Sequence, residues 1–103
     1  MAFSEQELTA LQDSAAKAAA MLRAVGNEHR LLVLCLLIEL GELSVGELHR
    51  YLPLSQSALS QHLAKMRDEG LITFRREAQT LYYRIGNPDV NRLIGTLKDI
   101  FCP

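Results

Sequence analysis

Leu54-Ser-Gln-Ser-Ala-Leu-Ser-Gln-His-Leu-Ala-Lys-Met-Arg-Asp-Glu-Gly-Leu-Ile72 carries both ends of a helix in its residues. Ser55 is an N-cap, because its hydroxyl can accept from a backbone N–H of the first turn. Gly70 supplies the left-handed position that closes a helix. Between them Leu59, Leu63 and Met66 fall on one face, the buried one. The other face holds Gln56, Ser57, Ser60, Gln61, Ala64 and Lys65. Surface helices ordinarily favour Glu, Lys and Arg, whose helix propensity exceeds that of Ser. Four Ser and Gln with no acid suit a face that approaches phosphates. Ser and Gln can hydrogen-bond base edges, and Gln pairs best with adenine.

The neighbours on either side complete a motif. Upstream, Ser44-Val45-Gly46-Glu47 fits a capping box. It starts a short helix with Val45, Leu48 and Leu52 inward, and Pro53 closes it. Two helices joined by the tight turn Leu52-Pro53-Leu54 describe a helix-turn-helix. Downstream the period changes. Leu71–Glu77 and Leu81–Ile85 are strand-like runs rich in Ile, Phe, Thr and Tyr, joined by Ala78-Gln79-Thr80. Arg75, Arg76 and Gln79 sit near this hairpin's tip, with Arg84 returning. A hairpin so placed contacts phosphate or the minor groove. The expected DNA-contacting set is Gln56, Ser57, Ser60, Gln61, His62, Lys65, Arg75, Arg76 and Gln79. His62 reads as a structural or phosphate-contacting residue rather than a metal ligand.

Towards the N-terminus, Leu8, Leu11, Ala15, Ala18, Leu22 and Val25 step 3, 4, 3, 4, 3. This is a helix from about Ser4 to Val25 with a narrow heptad seam, and such a seam usually meets another helix. Asn27 caps a second helix to about Leu40, apolar nearly all round and hence expected in the middle of the core. Gly41 stops it. At the other end Asn87-Pro88 is an N-cap followed by an N1 proline. Val90, Leu93, Ile94, Leu97, Ile100 and Phe101 form a second one-sided stripe. Leu8, Leu11, Ala15, Ala18, Leu22, Leu93, Leu97 and Ile100 are therefore candidates for a homodimer interface.

The expected fold is mainly α with a small β-hairpin, a winged helix-turn-helix in the order ααααββα. It forms a single domain over residues 1–103, with the helix-turn-helix at about 44–69 and the wing at about 71–86. The 103 residues fit one domain. Apolar content of 49% and charged content of 22% are those of a globular chain. The longest apolar run, Leu31 to Ile38, is too short to span a bilayer. The acidic start lacks a signal peptide's basic region, so the cytosol is the expected location and no membrane partner is expected. The net charge of -1 does not announce a nucleic-acid binder, but its distribution is uneven. Residues 1–43 hold three Lys/Arg against six Asp/Glu, and residues 44–86 hold six against four. No nucleophile elbow, phosphate loop, metalloprotease motif or carboxylate pair is present, so an enzyme is not expected.

The run from Leu54 to Ile72 closely resembles the recognition helix of ArsR/SmtB-type bacterial repressors. Asn27-Glu28-His29-Arg30-Leu31 resembles that family's start of helix two, and Tyr82-Tyr83-Arg84-Ile85 its second wing strand. The resemblance covers nearly the whole chain. It implies a homodimer, joined through the first and last helices, that binds double-stranded DNA at an inverted repeat and releases it when an effector arrives. The wing turn departs from the family, which often has glycine where this chain has Ala78-Gln79. Many members sense metals. Where one metal site has Cys-Val-Cys, this chain has Ser44-Val45-Gly46; where another has Asp and His on the last helix, it has Asp89 and Asp99 without histidine. Borderline metals need thiolate or imidazole ligands, so neither a metal nor any other cofactor is expected.

Two cysteines remain, Cys35 and Cys102, 67 positions apart. A cysteine among leucines is usually a small core hydrophobe, and Cys102 taken alone is an idle terminal thiol. As the only pair they gain weight, since the last helix can fold back across the second. Burial would raise the pKa of Cys35, while at Cys102 the helix C-terminus and Lys98 one turn earlier act in opposite directions. The pair, with the Gln79-Thr80 wing and the ending Phe101-Cys102-Pro103, resembles the reactive-sulfur-sensing branch of the family, the SqrR-, BigR- and YgaV-type repressors and the similar HlyU-type regulators. That resemblance implies persulfidation or oxidation of the two thiols, linked within one subunit, with a small reactive sulfur or oxidant species as effector. Peroxide sensing, arsenite sensing, a regulator without a thiol switch and a winged helix used for protein contacts stay open.

Overall fold

The computed structural model describes residues 2–102; Met1 and Pro103, the latter part of the quoted C-terminal ending, lie outside them. The order is α1 (Glu5–Val25), α2 (Glu28–Leu40), β1 (Leu43–Ser44), α3 (Val45–Tyr51), α4 (Gln56–Asp68), β2 (Ile72–Glu77), β3 (Thr80–Ile85) and α5 (Pro88–Phe101). This is a mainly α winged helix-turn-helix.

Every helix starts on a side-chain cap. Ser4 Oγ accepts from Glu7 N–H and Ser55 Oγ from Ala58 N–H, each at 3.1 Å. Asn27 Oδ1 takes the N–H groups of His29 and Arg30, and Asn87 Oδ1 that of Asp89. At α3 both halves of the capping box form: Glu47 N–H donates to Ser44 Oγ at 3.1 Å and Ser44 N–H to Glu47 Oε1 at 3.0 Å. Gly41 and Gly70 follow α2 and α4 with φ of 88° and 78°, the left-handed region where a Cβ is strained.

The sheet differs from the expectation in two ways. It has three strands in the order β1-β3-β2, all antiparallel, because Leu43 and Ser44 pair with Tyr83 and Tyr82. A two-residue strand is too short for any alternation to reveal it. The wing loop is also two residues, not three, because Glu77 pairs with Thr80. Ala78 accordingly takes φ 57°, a conformation that glycine adopts at lower cost.

The core is built from Val33, Leu34 and Leu37 of α2, Leu48 of α3, Leu59, Leu63 and Met66 of α4, and Val90 and Ile94 of α5, closed by the sheet through Leu43, Ile72 and Tyr83. α2 is buried on one side only: Leu32 and Leu40 are 42% and 51% exposed. Its all-round apolar character does not put it at the centre of the single chain. α1 is barer still, with Ala24 and Val25 its only buried residues. It extends the molecule to 56 × 33 × 21 Å and a radius of gyration of 16.2 Å, against about 13 Å for a compact chain of this length.

Candidate nucleic-acid interface and dithiol site

Burial of Leu59, Leu63 and Met66 turns the other side of α4 outward. Gln56, Ser57, Ser60, Gln61, Ala64 and Lys65 are all exposed, on one continuous face. His49 on α3 lies 2.8 Å through Nε2 from the Leu54 carbonyl, bracing the turn between the two helices. That role was invisible in the sequence, because it depends on how the turn folds back.

His62 departs from its neighbours. It is half-buried, and its Nδ1 accepts from Arg30 Nε at 3.2 Å, while Arg30 also donates to the Ala24 carbonyl at 3.1 Å. Arg30 thus ties the last turn of α1 to the middle of α4. His29 lies close by, its ring 6.2 Å from that of His62. Burial first, then the Arg30 charge and His29, push the His62 pKa below its usual value. The ring is held neutral with Nδ1 as acceptor, turned towards the protein body rather than lying on the outer face.

On the wing, Arg75, Arg76 and Gln79 are exposed. The two arginines are not equivalent. Arg75 Nε donates to Glu42 Oε1 and its NH1 to Glu77 Oε2, both at 2.7 Å, and its guanidinium stacks 4.7 Å over the Tyr82 ring. Glu77 and Glu42 both favour its charged form. Arg84 NH1 lies 3.5 Å from Glu42 Oε2. Arg76 points to the opposite side of the hairpin and makes no ion pair among the described residues.

The two cysteines come from α2 and from the end of α5. Cys35 is half-buried on α2, and Cys102 is exposed at the C-cap of α5, its N–H bonded to the Lys98 carbonyl at 2.8 Å. Both line one cavity of about 180 Å³ with Ile38, Glu39, Ile94, Gly95 and Lys98. Burial chiefly, and then Cys102, push the Cys35 thiol up; Lys98 opposes them. Lys98 is itself paired with Glu39. No group of three or more His, Cys, Asp or Glu side chains able to hold a metal ion occurs among the described residues. No described helix is long and apolar enough to cross a membrane.

The candidate dimer residues fall into two groups. Leu8, Leu11, Ala15, Ala18 and Leu22 of α1 are all exposed, as is Ile100 of α5, whereas Leu93 and Leu97 are half-buried against the core.

A capped helix with a polar outer face, a braced turn before it and an arginine-bearing hairpin beside it define a winged helix-turn-helix transcriptional regulator that binds DNA. The chain belongs to the ArsR family: residues 27–73 match the bacterial regulatory proteins of that family. It is 54% identical over 97 residues to the HTH-type transcriptional regulator YgaV of Escherichia coli K12, covering 94% of this chain and 98% of that one. Reduced HlyU from Vibrio cholerae superposes with a TM-score of 0.84 at 47% identity, over 90% of this chain and 97% of that one. The transcriptional repressor BigR from Xylella fastidiosa gives 0.84 at 33% identity, over 92% and 96%. These relatives are regulators, and no enzyme family is among them. The family match spans Cys35 and ends before Cys102.

Proposed function

We propose that this protein is a cytosolic, homodimeric regulator that binds an inverted-repeat operator while Cys35 and Cys102 are reduced and releases it when they are linked through added sulfur. The observation that carries this reading is the shared cavity: the chain's two cysteines, one on α2 and one at the C-cap of α5, line the same apolar space. Its volume of about 180 Å³ compares with about 30 Å³ for one water in the liquid, so a short sulfur chain fits. In the reaction each thiolate takes a sulfane sulfur from a persulfide donor and releases the donor's thiol. Closure removes two electrons and two protons, which reduce excess donor to thiol and sulfide. The dimer is supported by the bare apolar seam of α1 and the exposed end of α5. Base reading falls to Gln56, Ser57, Ser60, Gln61 and Lys65, phosphate contact to the wing with Arg76 and Gln79, and Arg75 is the wing residue most engaged by other groups.

Intact mass of the reduced protein, after a persulfide donor and separately after peroxide, tests the switch. A gain of about 62 Da with the donor alone marks a four-sulfur link; a loss of about 2 Da with peroxide marks a plain disulfide and a general oxidant sensor. Cys35→Ser protein that still releases DNA on donor treatment would refute the dithiol reading.

A further inference from the structure

Glu42 lies in the two-residue link between α2 and β1, outside the helix-turn-helix and outside the wing, yet it faces the wing. Its two carboxylate oxygens reach different strands: Oε1 meets Arg75 Nε of β2 at 2.7 Å and Oε2 meets Arg84 NH1 of β3 at 3.5 Å. Arg75 is opposite Tyr82 and Thr73 opposite Arg84 in the register, so both guanidiniums lie on one face of the hairpin. The Glu42 side chain is the least exposed of the group at 27%, against 45% and 55% for the arginines. β1 pairing with β3 fixes the backbone next to Glu42 against the wing. Two of the three wing arginines are therefore held by a carboxylate anchored to the body of the protein, and Arg76 is not.

We propose that Glu42 is a specificity-determining residue, a built-in competitor for DNA phosphate that withholds Arg75 and Arg84 from the backbone. A wing arginine attracts any duplex, whatever its sequence, because phosphate contacts carry no base information. Occupying two of them with Glu42 lowers the sequence-independent part of binding and leaves discrimination to α4. Arg75 and Arg84 act in this scheme as the clamped partners, and Arg76 is the wing's free phosphate ligand.

The inference rests on the DNA-binding reading, and its test separates the two. Affinity for a fluorescent random-sequence duplex, long enough for two half-sites, is measured over a range of salt for the reduced full-length protein. Each phosphate neutralised contributes about 0.9 to the slope of log affinity against log salt, so one further arginine on the backbone adds about a 3.5-fold loss for a fourfold rise in salt. Glu42→Gln keeps the shape and removes the charge. It is expected to bind the random duplex more tightly and to steepen the slope by about 2 to 4, counting one to two freed arginines in each subunit of the dimer. Arg75 is also paired with Glu77, so Arg75→Ala is expected to leave the slope unchanged with both carboxylates present and to lower it by about 2, one arginine from each subunit, in the Glu42→Gln, Glu77→Gln background. Arg76→Ala, which removes one arginine from each subunit, lowers it by about 2 in both. Wild-type protein without salt-dependent binding overturns the DNA reading itself. Wild-type protein that binds, with a Glu42→Gln slope that is unchanged or shallower, overturns the clamp alone. Circular dichroism of each variant checks the fold, and Glu42→Asp, which retains the charge, should keep the wild-type slope.

Discussion

Replacing Arg30 by methionine tests the tie between α1 and the reading helix. Arg30 donates to His62 Nδ1 at 3.2 Å and to the Ala24 carbonyl at 3.1 Å, both in part-buried surroundings. A hydrogen bond from a charged donor contributes about 1.5 to 3 kcal/mol when buried, and partial exposure puts each of these at or below the lower end. Methionine keeps the apolar stem, so the loss is confined to the two bonds and comes to about 2 to 3 kcal/mol. Against the roughly 5 to 15 kcal/mol that holds a small domain together, this is a large fraction. Urea denaturation near neutral pH, referred to wild-type protein at the same concentration, measures it. A second reading comes from the His62 ring by NMR titration. Its pKa is held below the usual 6.5 by burial, then by Arg30, then by His29. Removing Arg30 removes one of these, so the midpoint moves up. The folded pKa lies below the unfolded one, so this group's contribution to wild-type stability is complete above pH 6.5 and is lost as pH falls through 6.5 towards the folded value. The variant loses less over that window, and the stability gap narrows in acid. A difference under about 0.5 kcal/mol, the range of ordinary surface changes, together with an unmoved His62 midpoint, would refute the tie.

Leu34→Ala removes a fully buried side chain at the centre of the core and should cost about 3 to 4 kcal/mol in the same denaturation. Ala78→Gly relieves the left-handed turn at φ 57°; allowing for glycine's freer unfolded chain, a gain of about 0.5 to 1 kcal/mol is expected, and a loss would show that the turn is unstrained. Leu11→Glu on the bare face of α1, where Leu11 is 51% exposed, should leave the helical signal of the chain intact while shifting sedimentation equilibrium from dimer to monomer. A dimer unaffected by it places the interface elsewhere.

The local parts of this structure were legible because their causes lie within a few residues. Asn27, Ser44, Ser55 and Asn87 cap the helices they were expected to cap, since a cap needs only its own first turn. The exposed face of α4 followed from where Leu59, Leu63 and Met66 fall. What stayed hidden joins residues far apart in the chain. Glu42 meets Arg75 across 33 positions and Arg30 meets His62 across 32, so neither the clamped arginine nor the anchored histidine could be told from an unpaired one. β1 and the two-residue wing loop were missed for a related reason. Both are set by the register against β3, which the strand residues do not encode by themselves.

The position of α5 gives the proposed switch a route to DNA. Its inner face, Val90 and Ile94, is buried in the core with α2, while Ile100 and Phe101 at its end are 65% and 77% exposed. Cys102 caps that same end, so a sulfur link to Cys35 fastens the exposed end of α5 to α2 and constrains the apolar surface offered to a second subunit. In a dimer the two α4 helices must sit about 34 Å apart to enter successive major grooves, and a shift of the interface is felt as a change in that separation. Release needs little: a coupling of about 3 kcal/mol between the link and DNA corresponds to roughly a 150-fold loss of affinity. By reciprocity, bound operator must disfavour the link by the same factor. Operator added to the reduced protein should therefore shift the thiol–polysulfide equilibrium towards the open form, and an equilibrium indifferent to operator would show that the link and the DNA are not coupled.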